Sequence, residues 1–188
     1  MAELGLVEWD GVPRPAVLFR WSKRSGTIAI FSVITVGLLG VVGLATSRGL
    51  GDRLLASLLL LISLAGLIGS LGILWGTRFI ALLPQGILKR DLPGSTFVAW
   101  DTIEAVGRYR LSWQSCLGLR TREPPRVEGR LAVVMNRLGR VIRGMDGGFD
   151  VGYALWTMDD GSELERLVKR CVADPSARGS LGQTLADP

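Results

Sequence analysis

Thr27–Thr46 reads TIAIFSVITVGLLGVVGLAT and Leu54–Trp75 reads LLASLLLLISLAGLIGSLGILW, runs of 20 and 22 residues without a charge. A helix rises about 1.5 Å per residue, so roughly 20 residues cover a hydrocarbon core of about 30 Å. A core helix of a soluble protein rarely stays uncharged on every face for that length, and here two stand in tandem. The first run is longer than the apolar core of a secretory leader, about 7–15 residues, and 26 residues precede it; it is read as a span. Only Ser47–Arg53 separates the two, which predicts an antiparallel helical hairpin with both chain ends on one side.

Lys and Arg set the expected orientation. Arg14, Arg20, Lys23 and Arg24 precede the hairpin and 16 basic residues follow it, Arg78, Lys89 and Arg90 nearest, whereas the connection holds only Arg48 and Arg53. The bias predicts both termini in the cytoplasm, in a multi-pass protein of the cytoplasmic membrane. Trp21 and Trp75 suit an interfacial belt. Gly37, Gly40 and Gly43 recur in the first span and Gly66, Gly69, Gly72 and Gly76 at the second. The small-xxx-small pairs Gly43/Ser47, Ala65/Gly69 and Gly72/Gly76 predict close helix packing, within the hairpin or between copies in a homo-oligomer. No ionisable group lies in either span, which argues against a proton relay or ion path.

Composition narrows the chemistry. The 188 residues include no His and 2 Cys, Cys116 and Cys171. Histidine-based triads, His-ligated zinc and an imidazole switch are excluded, and two distant cysteines make neither a zinc site nor a disulfide scaffold. No cofactor or metal is expected. After the spans, 16 Lys or Arg face 13 Asp or Glu, an excess suited to an anionic leaflet and not to nucleic acid.

Beyond Gly76 the pattern shortens. Arg78–Leu83, Ile87–Arg90 and Thr96–Trp100 are β-type runs broken by Pro84-Gln85-Gly86 and Pro93-Gly94-Ser95. Ala105–Trp113 alternates, setting Tyr109, Leu111 and Trp113 on one face and Arg108 and Arg110 on a solvated one, and Ser115–Thr121 follows. Residues 1–26, with Pro13 and Pro15, read as a strand or extended arm that pairs with this later domain.

This order of two spans, short strands and a strand ending in Trp100-Asp101-Thr102-Ile103 resembles the bacterial membrane-anchored pleckstrin-homology-like (PH-like) proteins. Phe97–Val106 and the closing stretch from Phe149-Asp150-Val151 through Leu155-Trp156 to a helix ending near Pro175 carry the likeness. It implies an α+β membrane protein: an arm (1–26), a transmembrane hairpin (27–76; spans 27–46 and 54–75), a small bent antiparallel sheet or barrel with a C-terminal capping helix (77–173), and a tail (174–188) that frays after one more turn. Residues 122–148 depart from the family spacing. Within them Leu131, Val134, Met135, Leu138 and Ile142 fit an amphipathic helix, while 130–136 fits a strand equally, and the strand is preferred because a barrel-like sheet calls for another member.

The last helix opens with Ser162-Glu163-Leu164-Glu165, a Ser-x-x-Glu capping box, and carries the apolar stripe Leu164, Leu167, Val168, Cys171 and Val172. Cys171 is read as core. Asp159 and Asp160 are read as capping residues at a helix start, and Gly144–Gly148 as a turn without a phosphate-loop frame. No catalytic constellation is visible. Arg108, Arg110, Arg120 and Arg122, placed on neighbouring strands, form the candidate lipid or phosphate site, because planar guanidinium groups bind phosphate bidentately. The chain is expected to be a non-catalytic interaction module held at the bilayer, binding a protein or the anionic surface. The alternative is an accessory subunit of a larger membrane complex whose spans form the working interface.

Overall fold

A computed structural model describes residues 2–74, 78–91, 94–111, 114–130, 132–134, 136, 137, 139 and 148–181, with the backbone alone for 69 and 71–74. The chain divides into two compact units, Trp21–Thr77 and the combination of Met1–Arg20 with Arg78–Pro188.

The first unit is a pair of helices, α1 (Lys23–Thr46) and α2 (Leu50–Leu74). Both start earlier than the uncharged runs, so the connection shrinks to Ser47–Gly49. Asp52 in the first turn of α2 suits the positive end of the helix dipole. The helices run antiparallel: a β-carbon on Gly37 would stand 2.7 Å from Ser63 Oγ, one on Gly40 2.9 Å from Leu60 Cγ, and one on Gly43 3.2 Å from Ala56 Cβ. Gly66 meets Val33 in the same way at 2.7 Å. Small residues thus let the backbones approach, and Ser63 Oγ donates to the Val33 carbonyl at 2.9 Å. Gly43 lies in this contact. Ser47 instead donates its hydroxyl to Leu44 O at the end of α1, and Ala65 is exposed, because the contact repeats every third residue of α1 and not every fourth. Gly69 and Gly72 fall on α2 where only backbone is described; Gly76 and Trp75 lie outside the described residues.

The second unit holds two antiparallel sheets. The larger has the order β1 (Glu3–Trp9), β2 (Val12–Arg20), β3 (Phe79–Leu83), β4 (Gly86–Asp91), β5 (Gly94–Ala99), β8 (Arg126–Glu128), and the smaller β6 (Ile103–Leu111), β7 (Gln114–Thr121), β9 (Val151–Ala154). The amino-terminal arm is therefore part of the domain. β2 pairs β3 from Val17↔Leu82 to Arg20↔Phe79, so the helical hairpin occupies the place of a turn between adjacent strands.

β1 and β2 meet through Asp10-Gly11, with φ of 52° and 74°. These positive angles at both central residues make the type I′ turn whose twist suits a two-residue hairpin. Trp9 and Val12 flank it as a hydrogen-bonded pair, so Pro13 and Pro15 turn their nitrogens away from β1. On that side β3 pairs only from Val17 onward. The missing N–H groups fall on an open edge, where they cost no ladder bond and discourage another strand.

The uninterrupted apolar run of β3 is explained by burial on both faces. Ile80 and Leu82 join Val17, Phe19, Ile87, Val98, Trp100, Leu117, Leu119 and the C-terminal helix in one core. Ala81 and Leu83 join Val7, Trp9, Ala16, Leu18 and Leu88 in a second. The buried indole of Trp100 donates to Leu83 O at 2.8 Å. The second core exists because the sheet rolls up: Trp9 on the first strand stacks on Phe97 of the fifth, ring centroids 4.6 Å apart.

Two expectations are corrected here. The described residues between 130 and 139 are helical, with Val133 N–H bonding Gly129 O at 3.0 Å, so the strand at 130–136 does not form. The ladder it was meant to supply is closed by β8 and β9. The C-terminal helix α3 spans Gly161–Ala173, with Asp160 at the cap position and no side-chain cap hydrogen bond. Ser162 is thereby inside the helix and the capping box is not made. The stripe Leu164, Leu167, Val168 and Cys171 is buried as expected. The tail makes the one further turn expected of it, Ser176–Gly179; Leu181 just beyond it is core, and Arg178 joins Asp101 at 2.6 Å and Cys171 O at 2.9 Å.

Candidate functional site

Strand register decides what the four arginines can do together. Leu111 pairs with Gln114, so even-numbered positions of β6 share a face with odd-numbered positions of β7. Arg108 and Arg110 lie opposite Leu117 and Ser115, while Arg120 lies opposite Ala105 on the other face. The pairing of Leu111 with Gln114 forces this split. The expected single phosphate site is not assembled.

Each face is also occupied. On one, Leu117, Leu119, Val151 and Tyr153 carry the core, and Arg108 reaches α3, where its Nε donates to Glu165 Oε2 at 2.7 Å and its Nη2 also touches that oxygen. Lys169 Nζ holds the other oxygen at 2.8 Å. The Glu165 side chain is only 6% exposed, so a buried carboxylate is clamped by two cations. The Arg108 hydrogen bond holds its pKa below the ordinary carboxylate value against the opposing effect of burial, with Lys169 assisting.

The face expected to be solvated, that of Arg108, is thus the one on the core; on the other face Tyr109 is buried and Phe149 covers it, with ring centroids 5.5 Å apart. Gly107, Gly118 and Gly152 are aligned across the three strands. A β-carbon on Gly118 would stand 2.4 Å from the Phe149 ring, and one on Gly107 2.7 Å. Arg120 Nε donates to Gly148 O at 3.2 Å, and Asp150 accepts from Thr121 N–H at 2.9 Å. Arg120 is therefore used to fasten the segment that carries Phe149. Arg122 pairs with Glu104 at 3.4 Å. Arg110 is exposed, with no ion pair among the described residues.

A groove of about 320 Å³ opens elsewhere, where the β1–β2 tip meets the rolled sheet; Glu8, Trp9, Asp10, Leu88, Arg90 and Glu128 line it. Arg126 engages three of these residues, bonding Asp10 at 3.1 Å and Glu128 at 3.0 Å with its guanidinium 5.1 Å above the Trp9 ring. Two of the groove's three carboxylates, Asp10 and Glu128, are thus paired within the fold. No protein family, curated protein or solved structure matches this chain.

Among the described residues no three His, Cys, Asp or Glu side chains are grouped to hold a metal ion. Cys116 and Cys171 are buried free thiols, and burial pushes both pKa values up, away from the thiolate a nucleophile needs. The sequence reading missed Glu165 as the partner of Arg108 because it had assigned that residue to a cap. It also missed the Trp9, Phe97 and Arg126 closure, although Trp9-Asp10-Gly11-Val12 carries a recognisable hairpin signal.

Proposed function

We propose that this chain is a membrane-anchored, non-catalytic interaction module: α1 and α2 cross the cytoplasmic membrane of a bacterium as a hairpin, and the β unit works on the cytoplasmic side as a PH-like domain. One observation carries the anchor. Phe31, Leu38, Leu54 and Leu61 are 68%, 61%, 64% and 65% exposed, and both helices are long and apolar enough to cross a membrane. Helices that pair through glycine and turn Leu, Ile, Val and Phe outward suit lipid as solvent, where lipid covers the apolar surface that water would penalise. The excess of Lys and Arg flanking the hairpin supports the orientation.

Two antiparallel sheets closed by a C-terminal helix support the PH-like reading of the β unit. Its buried thiols and the pairing of Asp10 and Glu128 with Arg126 favour binding over catalysis, with a protein or the anionic leaflet as ligand. Alkaline carbonate extraction of cells expressing the full chain tests the anchor: retention in the membrane pellet is expected, and release into the supernatant refutes it. Cysteine labelling from either side, with a single Cys placed at Arg48, tests the orientation; reaction is expected only from outside the cytoplasm.

A further inference from the structure

Among the described residues four strands end the two sheets, β1 and β8 in the larger and β6 and β9 in the smaller. An unpaired strand edge is a template for another chain, and folded proteins blunt it with short strands, bulges, prolines or charged side chains, lysine above all. β8 and β9 have three and four residues. β6 is long, but its ladder to β7 is bulged between Ile103 and Ala105 and it carries Arg108 and Arg110. β1 has seven residues in unbroken register with β2, and no proline, lysine or arginine.

The hairpin fixes which groups of β1 face outward. Trp9 and Val12 form a hydrogen-bonded pair, so the N–H and C=O of Leu4, Leu6 and Glu8, opposite Val17, Pro15 and Pro13, point away from β2. Among the described residues nothing bonds them. The same three side chains share one face of the sheet. On it Leu4 is 44% and Leu6 75% exposed, while Val17 at the inner margin belongs to the core. The open main-chain edge and the uncovered leucines therefore coincide.

Charge selects the occupant. Glu8 is exposed and has no ion pair among the described residues. Its neighbours on β2 are Pro13 and Pro15, and Arg14, opposite Val7, lies on the other face. Glu8 also lines the groove beside the β1–β2 tip, where three carboxylates stand against the two guanidinium groups of Arg90 and Arg126. One negative charge is left over there. The β1 of a second copy would bring no cation to it, since the charged residues of that strand are Glu3 and Glu8.

We propose that β1 receives an extended segment of another protein as an added strand, one that carries two aliphatic residues and a Lys or Arg at every second position. The main chain bonds Leu4, Leu6 and Glu8; the aliphatic side chains cover the two leucines, and the cation meets Glu8. The inference rests on the reading of the β unit as an interaction module and gives that module's partner its chemistry.

The probes are a blocked peptide, Thr-Val-Thr-Val-Thr-Lys-Thr, the same residues in reverse order, and both with Glu in place of Lys. Each carries a terminal dye, and anisotropy is read against the full chain in detergent. A Lys peptide is expected to bind at least about fivefold more tightly than its Glu counterpart, and Glu8→Lys should invert that preference. Leu6→Pro removes an outward N–H and no bond to β2, so it should abolish binding with the melting curve unchanged. Should that variant unfold, the peptide supplies the same test: methylating one alternate set of its amides abolishes binding, and methylating the other set retains it. Binding that survives Leu6→Pro, or equal loss from either methylated set, overturns the edge while a protein-binding module stands. Self-association of the chain without peptide, lost in Leu6→Pro, overturns the proposal in favour of a second copy. No binding by any of the peptides overturns it as well and leaves the anchor, which carbonate extraction reads separately.

Discussion

Glu165 sits on a helix that otherwise buries apolar side chains, and Arg108 and Lys169 keep its carboxylate ionised. Its folded pKa is depressed, so it contributes stability that is present above the unfolded value near 4.5 and is lost as pH falls through the folded value. Glu165→Gln should lower the melting temperature by a few degrees at neutral pH, and the gap from wild type should narrow as pH falls below 4.5. A gap unchanged down to pH 3 would mean that the ion cluster contributes nothing. Gly118→Ala tests the opposite kind of contact, a ring laid on bare backbone. The added methyl collides with Phe149, and the overpacking should cost about 1–3 kcal/mol in urea unfolding. The double variant with Phe149→Ala should recover part of the loss of Gly118→Ala relative to Phe149→Ala alone.

Among the elements, the helical hairpin and the β1–β2 hairpin respond to substitution for different reasons. Gly40→Ile places a branched side chain against Leu60, where even a β-carbon would be 2.9 Å away. Energy transfer between dyes on the two helices in detergent should fall, whereas Gly51→Ile, at a position with open space, should leave it unchanged. In the sheet, Trp9 is core at the end of a long arm, wedged between Phe97 and Arg126. Trp9→Ala should cost about 3–5 kcal/mol, and hydrogen exchange should speed up throughout β1 and not only at its tip. Elements of this kind were largely legible from sequence: the two long helices by lack of charge, β3–β5 by short apolar runs between turn residues, α3 by its stripe. The boundaries and caps were not, because Gly161, packed against the Leu155 carbonyl, and Glu165, drawn to Arg108, answer to tertiary contacts. The helix at 130–139 was ambiguous for a physical reason: a five-residue apolar run satisfies both periods.

At the scale of the molecule, the β unit is assembled from chain on both sides of the helices. Val17 and Phe19 belong to one core and Ala16 and Leu18 to the other, so residues 77–188 alone lack a wall of each. That fragment should fail to give a cooperative melting transition. Residues 1–20 joined to 78–188 through a short Asn-Gly turn should give one, because Arg20 and Phe79 are already paired neighbours. A cooperative transition in the first and none in the second would contradict the topology. The candidate arginine site was the least legible part. Spacing identified Arg108, Arg110, Arg120 and Arg122 as strand residues, but which face each occupies depends on a hairpin register that periodicity alone does not supply.

If the two helices cross a membrane as proposed, the pairing of β2 with β3 across them makes the sheet a record of how the chain was threaded during biosynthesis. If one helix crossed the bilayer and the other did not, β2 and β3 would be stranded in different compartments and could never meet. β1 and β2 also leave the ribosome before both helices, so their partner arrives only after the whole hairpin has been delivered. On that reading, completion of the sheet is a quality check on insertion, and a misthreaded chain would present unpaired strands to the cell's proteases.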